Sequence, residues 1–241
     1  MKAVLLAAGV AQRLKGIIDD IPKPMVSVDG IPILQHNVEW LKKFGVTDIY
    51  INLHHLPDVI TRHFGDGDDW GVHITYSREP VLLGTAGAVK KIAQDYWGND
   101  LDGPFLVVYG DNLVSDFDLN RIINFYKKCS GLGTICLYHK PDEVAKSGVA
   151  VLDEQCRIVK FIEKPAPGEI AGDLVNTGIY ILDQAILKYI PENSACDFAK
   201  DVFSRVLNEG ESLYGLVLNA NLIAIDTPQL FKKLIASEFA K

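Results

Sequence analysis

Residues 4–13 read "VLLAAGVAQR": an apolar run that passes straight into a glycine turn and ends on an arginine. From Lys2 to Ala8 the run is continuous rather than alternating. A strand with both faces buried reads this way, and both faces are buried when helices cover a parallel sheet. Parallel neighbours need crossover connections, so the rest of the chain must alternate strand with helix if this reading is right.

It does alternate. Pro32–Phe44 sets Ile33, Leu34, Val38, Leu41 and Phe44 on one helical face, and Gly45 ends it. Asp48–Leu53 reads as a strand, Asp58–Phe64 as a short helix after Pro57, and Val72–Ser77 as a strand. Thr85–Tyr96 reads as a helix, Pro104–Val108 as a strand, Asp118–Cys129 as a helix and Leu132–His139 as a strand. This rhythm predicts an α/β protein with a mostly parallel sheet and right-handed crossovers.

At Gly148 the pattern changes. "GVAVLDEQCRIVKFIEK", residues 148–164, is two strands about a polar turn at Asp153-Glu154-Gln155, which predicts an antiparallel hairpin. Val175–Leu182 is a further strand, followed by helices at Gln184–Ile190 and Phe198–Glu209. Short strands at Leu213–Leu218 and Leu222–Ile225 precede a last helix, Pro228–Phe239. No repeat, low-complexity tract or linker is visible, so one domain over residues 1–241 with an added hairpin is the simplest organisation.

The bulk numbers set limits. A chain of 241 residues with 48% hydrophobic and 23% charged residues can bury a large α/β core. Its net charge of −7 argues against nucleic acid as a partner, though a few local cations would still hold a phosphate ligand. Cys129, Cys136, Cys156 and Cys196 lack CxxC spacing. With no signal-peptide pattern and no apolar run of membrane-spanning length, a reducing cytoplasm is the expected location.

The opening loop lacks both common nucleotide signatures. Gly9 and the distant Gly16 do not make G-x-G-x-x-G, and no Gly-Lys-Ser/Thr ending is present. What remains is a glycine turn, Arg13, and Lys23 held between prolines in "IPKPMV", residues 21–26. Backbone N–H groups after a strand can cradle phosphate, with a guanidinium fork and a lysine point charge in support. A surface loop with two solvated cations fits the same residues.

Taken with further segments in the same order, the opening resembles the sugar-1-phosphate nucleotidyltransferases (NDP-sugar pyrophosphorylases). That family begins L-A-x-G-x-G-T-R-L and continues to P-K-P; here stand "LLAAGVAQRL" and "IPKPMV". "LLGTAGAV" at 82–89, "VVYGDNL" at 107–113, "IEKP" at 162–165 and "NTGIYIL" at 176–182 follow. The resemblance implies the nucleotide-diphospho-sugar transferase fold. That fold is a Rossmann-like, mostly parallel central sheet flanked by helices, with an antiparallel hairpin on the sugar-binding side. Residues 1–140 would mainly bind nucleotide and 141–241 mainly the sugar phosphate, with no C-terminal β-helix domain.

The implied reaction is transfer of a nucleotidyl group from a nucleoside triphosphate to a sugar 1-phosphate, with Mg2+ as cofactor. By the same resemblance Leu6, Ala8, Gly9, Gln12, Arg13 and Lys23 hold the nucleotide, and Gly84, Thr85, Ala86 and Gly87 face the base. Asp111 joins them as metal ligand, and Gly148, Glu163, Lys164, Asn176 and Gly178 line the sugar-phosphate pocket. Arg13, Lys23, Asp111 and Lys164 form the implied catalytic set. Partners would be small molecules only, with neither nucleic acid nor membrane, and the chain a monomer or homodimer. Read without the resemblance, Asp111 suits a turn or cap, Glu163–Lys164 a surface ion pair, and Asn176–Gly178 a strand bend. His54 and His55 read as ordinary loop packing.

Two departures from the family pattern stand out. Ala11 and Gln12 occupy the places of the second glycine and the threonine. In "LIAIDTPQL", residues 222–230, aligning Thr227-Pro228 drops the family's second metal aspartate onto Ala224 and its glycine onto Asp226. Asp226 either takes over as second metal ligand from a shifted position or caps the last helix. "GTAG" resembles the stretch in enzymes that use GTP with mannose or heptose 1-phosphate, while the opening half also resembles uridylyltransferases for N-acetylmuramate 1-phosphate. A cytidylyltransferase for choline or alditol phosphate and a non-catalytic sugar-nucleotide-binding relative are the other readings.

Overall fold

A computed structural model describes residues 1–10, 16, 18, 20–98, 103–114, 117–170, 172–219 and 223–224. The elements run β1 (Lys2–Leu6), β2 (Ser27–Val28), β3 (Ile31–Pro32), α1 (Ile33–Lys43), β4 (Asp48–Leu53), α2 (Pro57–Phe64) and β5 (His73–Arg78). Next come α3 (Gly84–Ile92), β6 (Phe105–Tyr109), β7 (Asn112–Leu113), α4 (Leu119–Lys128), β8 (Gly133–His139), β9 (Gly148–Leu152) and β10 (Ile158–Glu163). The last are β11 (Leu174–Leu182), α5 (Phe203–Asn208), β12 (Leu213–Val217) and β13 (Ile223–Ala224). Two compact units interleave along the chain. One holds Lys2–Leu82, Val108–Phe117 and Asn221–Lys241; the other holds Met1, Leu83–Val107 and Asp118–Ala220.

In the first unit β1 pairs parallel with β4 from Lys2↔Asp48 to Leu6↔Asn52, and β4 pairs parallel with β5 from Asp48↔His73 to Leu53↔Arg78. Ala3, Val4 and Leu5 are fully buried, as the unbroken apolar run predicts. Helix α1 buries Ile33, Leu34, Val38 and Leu41, while Phe44 at its end stays half-buried. One polar residue shares that face. Asn37 is fully buried; its Nδ2 donates to the carbonyls of Asn112 (2.9 Å) and Gly110 (3.4 Å), and its Oδ1 accepts from Val114 N–H (3.2 Å). Trp40 Nε1 donates to Phe117 O at 2.8 Å. The backbone at Gly110, Asn112, Val114 and Phe117 is thus held by side chains of α1, because it lies outside the main sheet's ladder and must be satisfied elsewhere.

In the second unit β9 and β10 form the expected antiparallel hairpin, with Gly148 opposite Glu163. The polar turn is tied by Asp153, whose Oδ1 accepts from the N–H groups of Gln155 and Arg157. β11 runs antiparallel to both β8 and β9, and β12 parallel to β8. Tyr180, Phe198, Phe203 and Phe161 pack ring against ring at centroid distances of 5.1 to 5.7 Å, which fixes α5 onto the hairpin side.

Several elements differ from the sequence reading. Gln184–Tyr189 is a 3-10 turn rather than an α-helix, started by Asp183 accepting from Ala185 N–H. The expected helix Thr85–Tyr96 ends at Ile92 and widens into a π turn over Ala93–Trp97. Helix 198–209 likewise opens with a π turn over Phe198–Val202 before α5. A π turn brings residues five apart onto one face, and here it stacks Phe198 on Phe203. The predicted helix Pro228–Phe239 lies outside the described residues.

Candidate active site

The first unit gathers three of the expected nucleotide-side features. Strand β1 ends at Leu6, and Ala7 and Ala8 are buried while Gly9 is exposed. Gly110 N–H donates to Leu6 O at 2.9 Å, and a Cβ on Gly110 would sit 2.9 Å from the same oxygen. Only glycine allows that approach, and it carries Asp111 to the carboxyl end of β1. Lys23 lies in a 3-10 turn, Lys23–Met25, entered from extended Pro22. Its backbone is stiffened by the prolines on either side, and the residue is only 8% exposed. Lys23 Nζ donates to Asp111 Oδ2 at 2.5 Å, a charge-assisted bond across 88 residues of sequence. The carboxyl ends of parallel strands are where such sheets bind ligands.

Arg13, Gln12 and Asp226 lie outside the described residues. Next to Asp111, however, β7 pairs antiparallel with β13, Asn112↔Ala224 and Leu113↔Ile223. Position 224, where alignment drops the family's second aspartate, is therefore the strand partner of the residue after Asp111. No group of three His, Cys, Asp or Glu side chains is placed to hold a metal among the described residues.

The second unit brings together Gly148, Glu163 and Lys164. A Cβ on Gly148 would lie 2.9 Å from Glu163 Oε2 and 2.7 Å from Phe161 Cζ, so the glycine makes room for the carboxylate. Lys164 has a left-handed backbone (φ 49°), its N–H donates to Ser147 O, and its Nζ stands 3.5 Å from Glu163 Oε1. The Lys164 side chain is 57% exposed and available to an anionic ligand. Burial pushes the Glu163 carboxyl above its ordinary value, Lys164 pulls it back, and the charge of Asp197 adds to the rise.

Asn176–Gly178 is a bulge in β11, where the register with β8 shifts between Asn176 and Tyr180. Gly178 (φ 76°) donates its N–H to Asn176 Oδ1, and Asn176 Nδ2 donates to Tyr180 OH at 2.7 Å. Thr177 Oγ1 donates to Cys136 O at 2.8 Å. The bend expected from the residues alone is present.

Gly84–Gly87 has a structural task that the sequence did not reveal. The N–H groups of Ala86 and Gly87 both donate to Cys196 O at 3.0 Å, and Cys196 N–H donates to Leu83 O. Thr85 Oγ1 donates to Asp197 Oδ2 at 2.7 Å and accepts from Phe198 N–H at 2.9 Å. A Cβ on Gly84 would meet Cys196 O at 2.5 Å, and one on Gly87 would meet Ser194 O at 2.9 Å. The close approach these glycines permit is used by segment 194–197. Asp197 is the acid that sequence reasoning missed. It stands just before the π turn Phe198–Val202 and caps it, accepting from Ala199 and Lys200 N–H. His54 keeps to loop packing: Nδ1 donates to Glu79 O at 2.7 Å.

Comparison with known proteins decides the family, since residues 2–222 match the nucleotidyl transferase family. The chain belongs to that family. Over 235 residues this nucleotidyl transferase family member is 34% identical to a UTP–glucose-1-phosphate uridylyltransferase of Synechocystis, covering 93% of this chain and 60% of the relative. It is 36% identical over 214 residues to a mannose-1-phosphate guanyltransferase of Aspergillus fumigatus, covering 88% and 57%. The chain thus spans about 60% of the length of the curated relatives it matches.

Among solved structures, a Bacillus anthracis protein described as a candidate glucose-1-phosphate thymidylyltransferase, in complex with sucrose, superposes with a TM-score of 0.84. Identity is 26%, and 99% of this chain and 95% of that one are covered. HddC from Yersinia pseudotuberculosis complexed with GMP-PN superposes at 0.78, with 26% identity and 98% of both chains covered. The fold class follows: mixed α/β with a mostly parallel central sheet flanked by helices, the nucleotide-diphospho-sugar transferase fold. Among the described residues no helix is long and apolar enough to cross a membrane.

Proposed function

We propose that this chain transfers a nucleotidyl group from a nucleoside triphosphate, GTP by preference, to a sugar 1-phosphate, forming an NDP-sugar and pyrophosphate in a Mg2+-dependent reaction. The observation that carries this reading is the Lys23–Asp111 pair beside the Leu6–Gly9 turn, in a chain that matches the family along residues 2–222. A phosphate monoester loses its second proton near pKa ~6, so its oxygen is already ionised at neutral pH and needs no general base. That oxygen bonds to the α-phosphorus while the bond to pyrophosphate breaks, the leaving group taking the electron pair.

The obstacle is repulsion between two anions, so catalysis rests on positioning and charge neutralisation. In this reading Lys23 and Arg13 meet the triphosphate together with Leu6, Ala8, Gly9 and Gln12, and Gly84–Gly87 meet the base. Lys164 meets the sugar phosphate, while Gly148, Glu163, Asn176 and Gly178 contact the sugar. Asp111 suits magnesium, being a half-buried carboxylate with hard oxygen donors. Asp226 is the second ligand in this reading, supported by the pairing of Ala224 with Asn112. When bound, the ion would supply Lewis-acid neutralisation of phosphate oxygens.

GTP is supported by the guanyltransferase relatives and by the neighbour crystallised with GMP-PN. The Synechocystis relative's name favours a second reading, UTP as donor. The exposed Lys164 and the Asn176 bulge support a sugar phosphate over choline phosphate, whose quaternary amine calls for an aromatic cage. The partners proposed are these small molecules alone, for a monomer or homodimer in a reducing cytoplasm, consistent with four free cysteines.

The test is a pyrophosphate-release assay crossing the four ribonucleotides and dTTP with a panel of sugar 1-phosphates, with and without Mg2+. Release with GTP and one sugar phosphate is expected. Release only with UTP selects the second reading, and no release with any pair overturns both.

A further inference from the structure

In the first unit, three buried groups lie together at the carboxyl ends of β1, β4 and β5: Ala7, Asn52 and Glu79, which are 1%, 4% and 4% exposed. Asn52 lies on β4, between the other two strands, with Leu6 and Ser77 as its strand partners. Its Oδ1 accepts from Ala7 N–H at 2.7 Å, and its Nδ2 donates to Glu79 Oε1 at 2.8 Å. Glu79 is pinned in turn by its own backbone: its N–H donates to Leu53 O at 2.8 Å, and its carbonyl accepts from His54 Nδ1 at 2.7 Å.

The chemistry of this chain admits one orientation. A backbone N–H only donates and a carboxylate only accepts, so the residue linking them must accept at one end and donate at the other. Asparagine does both at this reach, and the carboxylate forces its oxygen toward Ala7. Burying a carboxylate and an amide here is costly unless both are bonded, and a half-satisfied network is worse than an apolar one. The first residue after β1 is therefore fixed by a side chain on the neighbouring strand β4, which Glu79 holds from the end of β5, at the point where the chain enters the Ala7–Gly9 segment.

We propose that Asn52 and Glu79 are positioning residues for nucleotide binding: together they fix the Ala7 N–H, and through it the pitch of the turn that receives the triphosphate. The proposal rests on the nucleotidyl-transfer reading of that turn. It assigns no substrate contact to Asn52.

The test exchanges donor and acceptor. Asn52→Asp sets a second carboxylate against Glu79; adding Glu79→Gln returns a donor, so that Asp accepts from both Ala7 N–H and the new amide. Three readouts are taken on each variant: calorimetric affinity for GTP and UTP, KM for nucleotide against KM for sugar phosphate, and hydrogen exchange at the Ala7 amide. Asn52→Asp should weaken nucleotide affinity at least about tenfold, speed exchange at Ala7, and leave the sugar-phosphate KM within about threefold. The double variant should recover to within about threefold of the parent.

Should Asn52→Asp fail to fold, Glu79→Met reads the same anchor without a new charge, and about a tenfold affinity loss is again expected. A folded Asn52→Asp or Glu79→Met with parental affinity overturns the proposal, as does a double variant no better than Asn52→Asp. Ala7 exchange follows the anchor even if the parent binds neither nucleotide. That last result would overturn the proposed function and the phosphate role given to the turn, while leaving the anchor itself decided.

Discussion

Individual residues carry the charge logic. Asp111 is half-buried against Lys23, and Asp111→Asn keeps its shape while removing its charge. Turnover should fall at least about 100-fold while the thermal melt stays cooperative, because a transition-state electrostatic contact is lost and the packing is not. Unchanged rates with Mg2+ present would remove Asp111 from the mechanism. Lys164 is exposed and bonded only loosely to Glu163, so Lys164→Ala should barely touch stability. It should raise the KM for sugar phosphate about tenfold or more, with little change for nucleotide; equal effects on both would count against its role.

Glu163 gives a pH prediction. Burial raises its carboxyl above 4.5, so between that value and its folded pKa the native state holds the extra proton. Stability therefore falls as pH rises through that window. Glu163→Gln should flatten urea midpoints across about pH 4 to 7, and a variant with the parental slope would show that another group sets it.

Elements show where sequence reading succeeds. Asp48–Leu53 matches its strand end to end, and α1 buries Ile33, Leu34, Val38 and Leu41 as its spacing requires. Both are local patterns, in which one period decides which face is apolar. The wide turns at Ala93–Trp97 and Phe198–Val202 space their contacts five residues apart, and a 3.6-residue period contains no trace of them. The Gly84–Gly87 turn is the sharpest case. Its glycines let the carbonyls of Ser194 and Cys196, more than a hundred residues away, occupy the space in which side chains would sit. Gly84→Ala combines a positive φ with a 2.5 Å clash against backbone and should cost about 2–4 kcal/mol by denaturant melts. Gly168→Ala, with nothing within 4 Å, should stay within about 0.5 kcal/mol. Equal effects would show that segment 194–197 does not press on the turn.

For the whole molecule the order of the chain matters more than its composition. The unit that carries Lys23 and Asp111 is assembled from separated stretches, with Leu83–Val107 belonging to the other unit. A fragment of residues 1–82 would leave Asn37 without Gly110, Asn112 and Val114, and Trp40 without Phe117. Buried polar groups stripped of partners cost about 1–3 kcal/mol each, comparable with much of a domain's net stability. Such a fragment should show no cooperative thermal transition and no nucleotide binding; a cooperative melt would mean that segment 108–117 is dispensable.

By itself, the sequence determined the alternation of strand and helix, the buried first strand and the hairpin at residues 148–163. These follow from periodicity and side-chain chemistry, which act over a few residues. Only the tertiary structure decided that Lys23 meets Asp111, that Asp197 holds Thr85, and that Asn52 ties Ala7 to Glu79. Each of those is a contact between residues at least 27 apart, made because a buried donor or charge must find its partner wherever the fold brings one within reach.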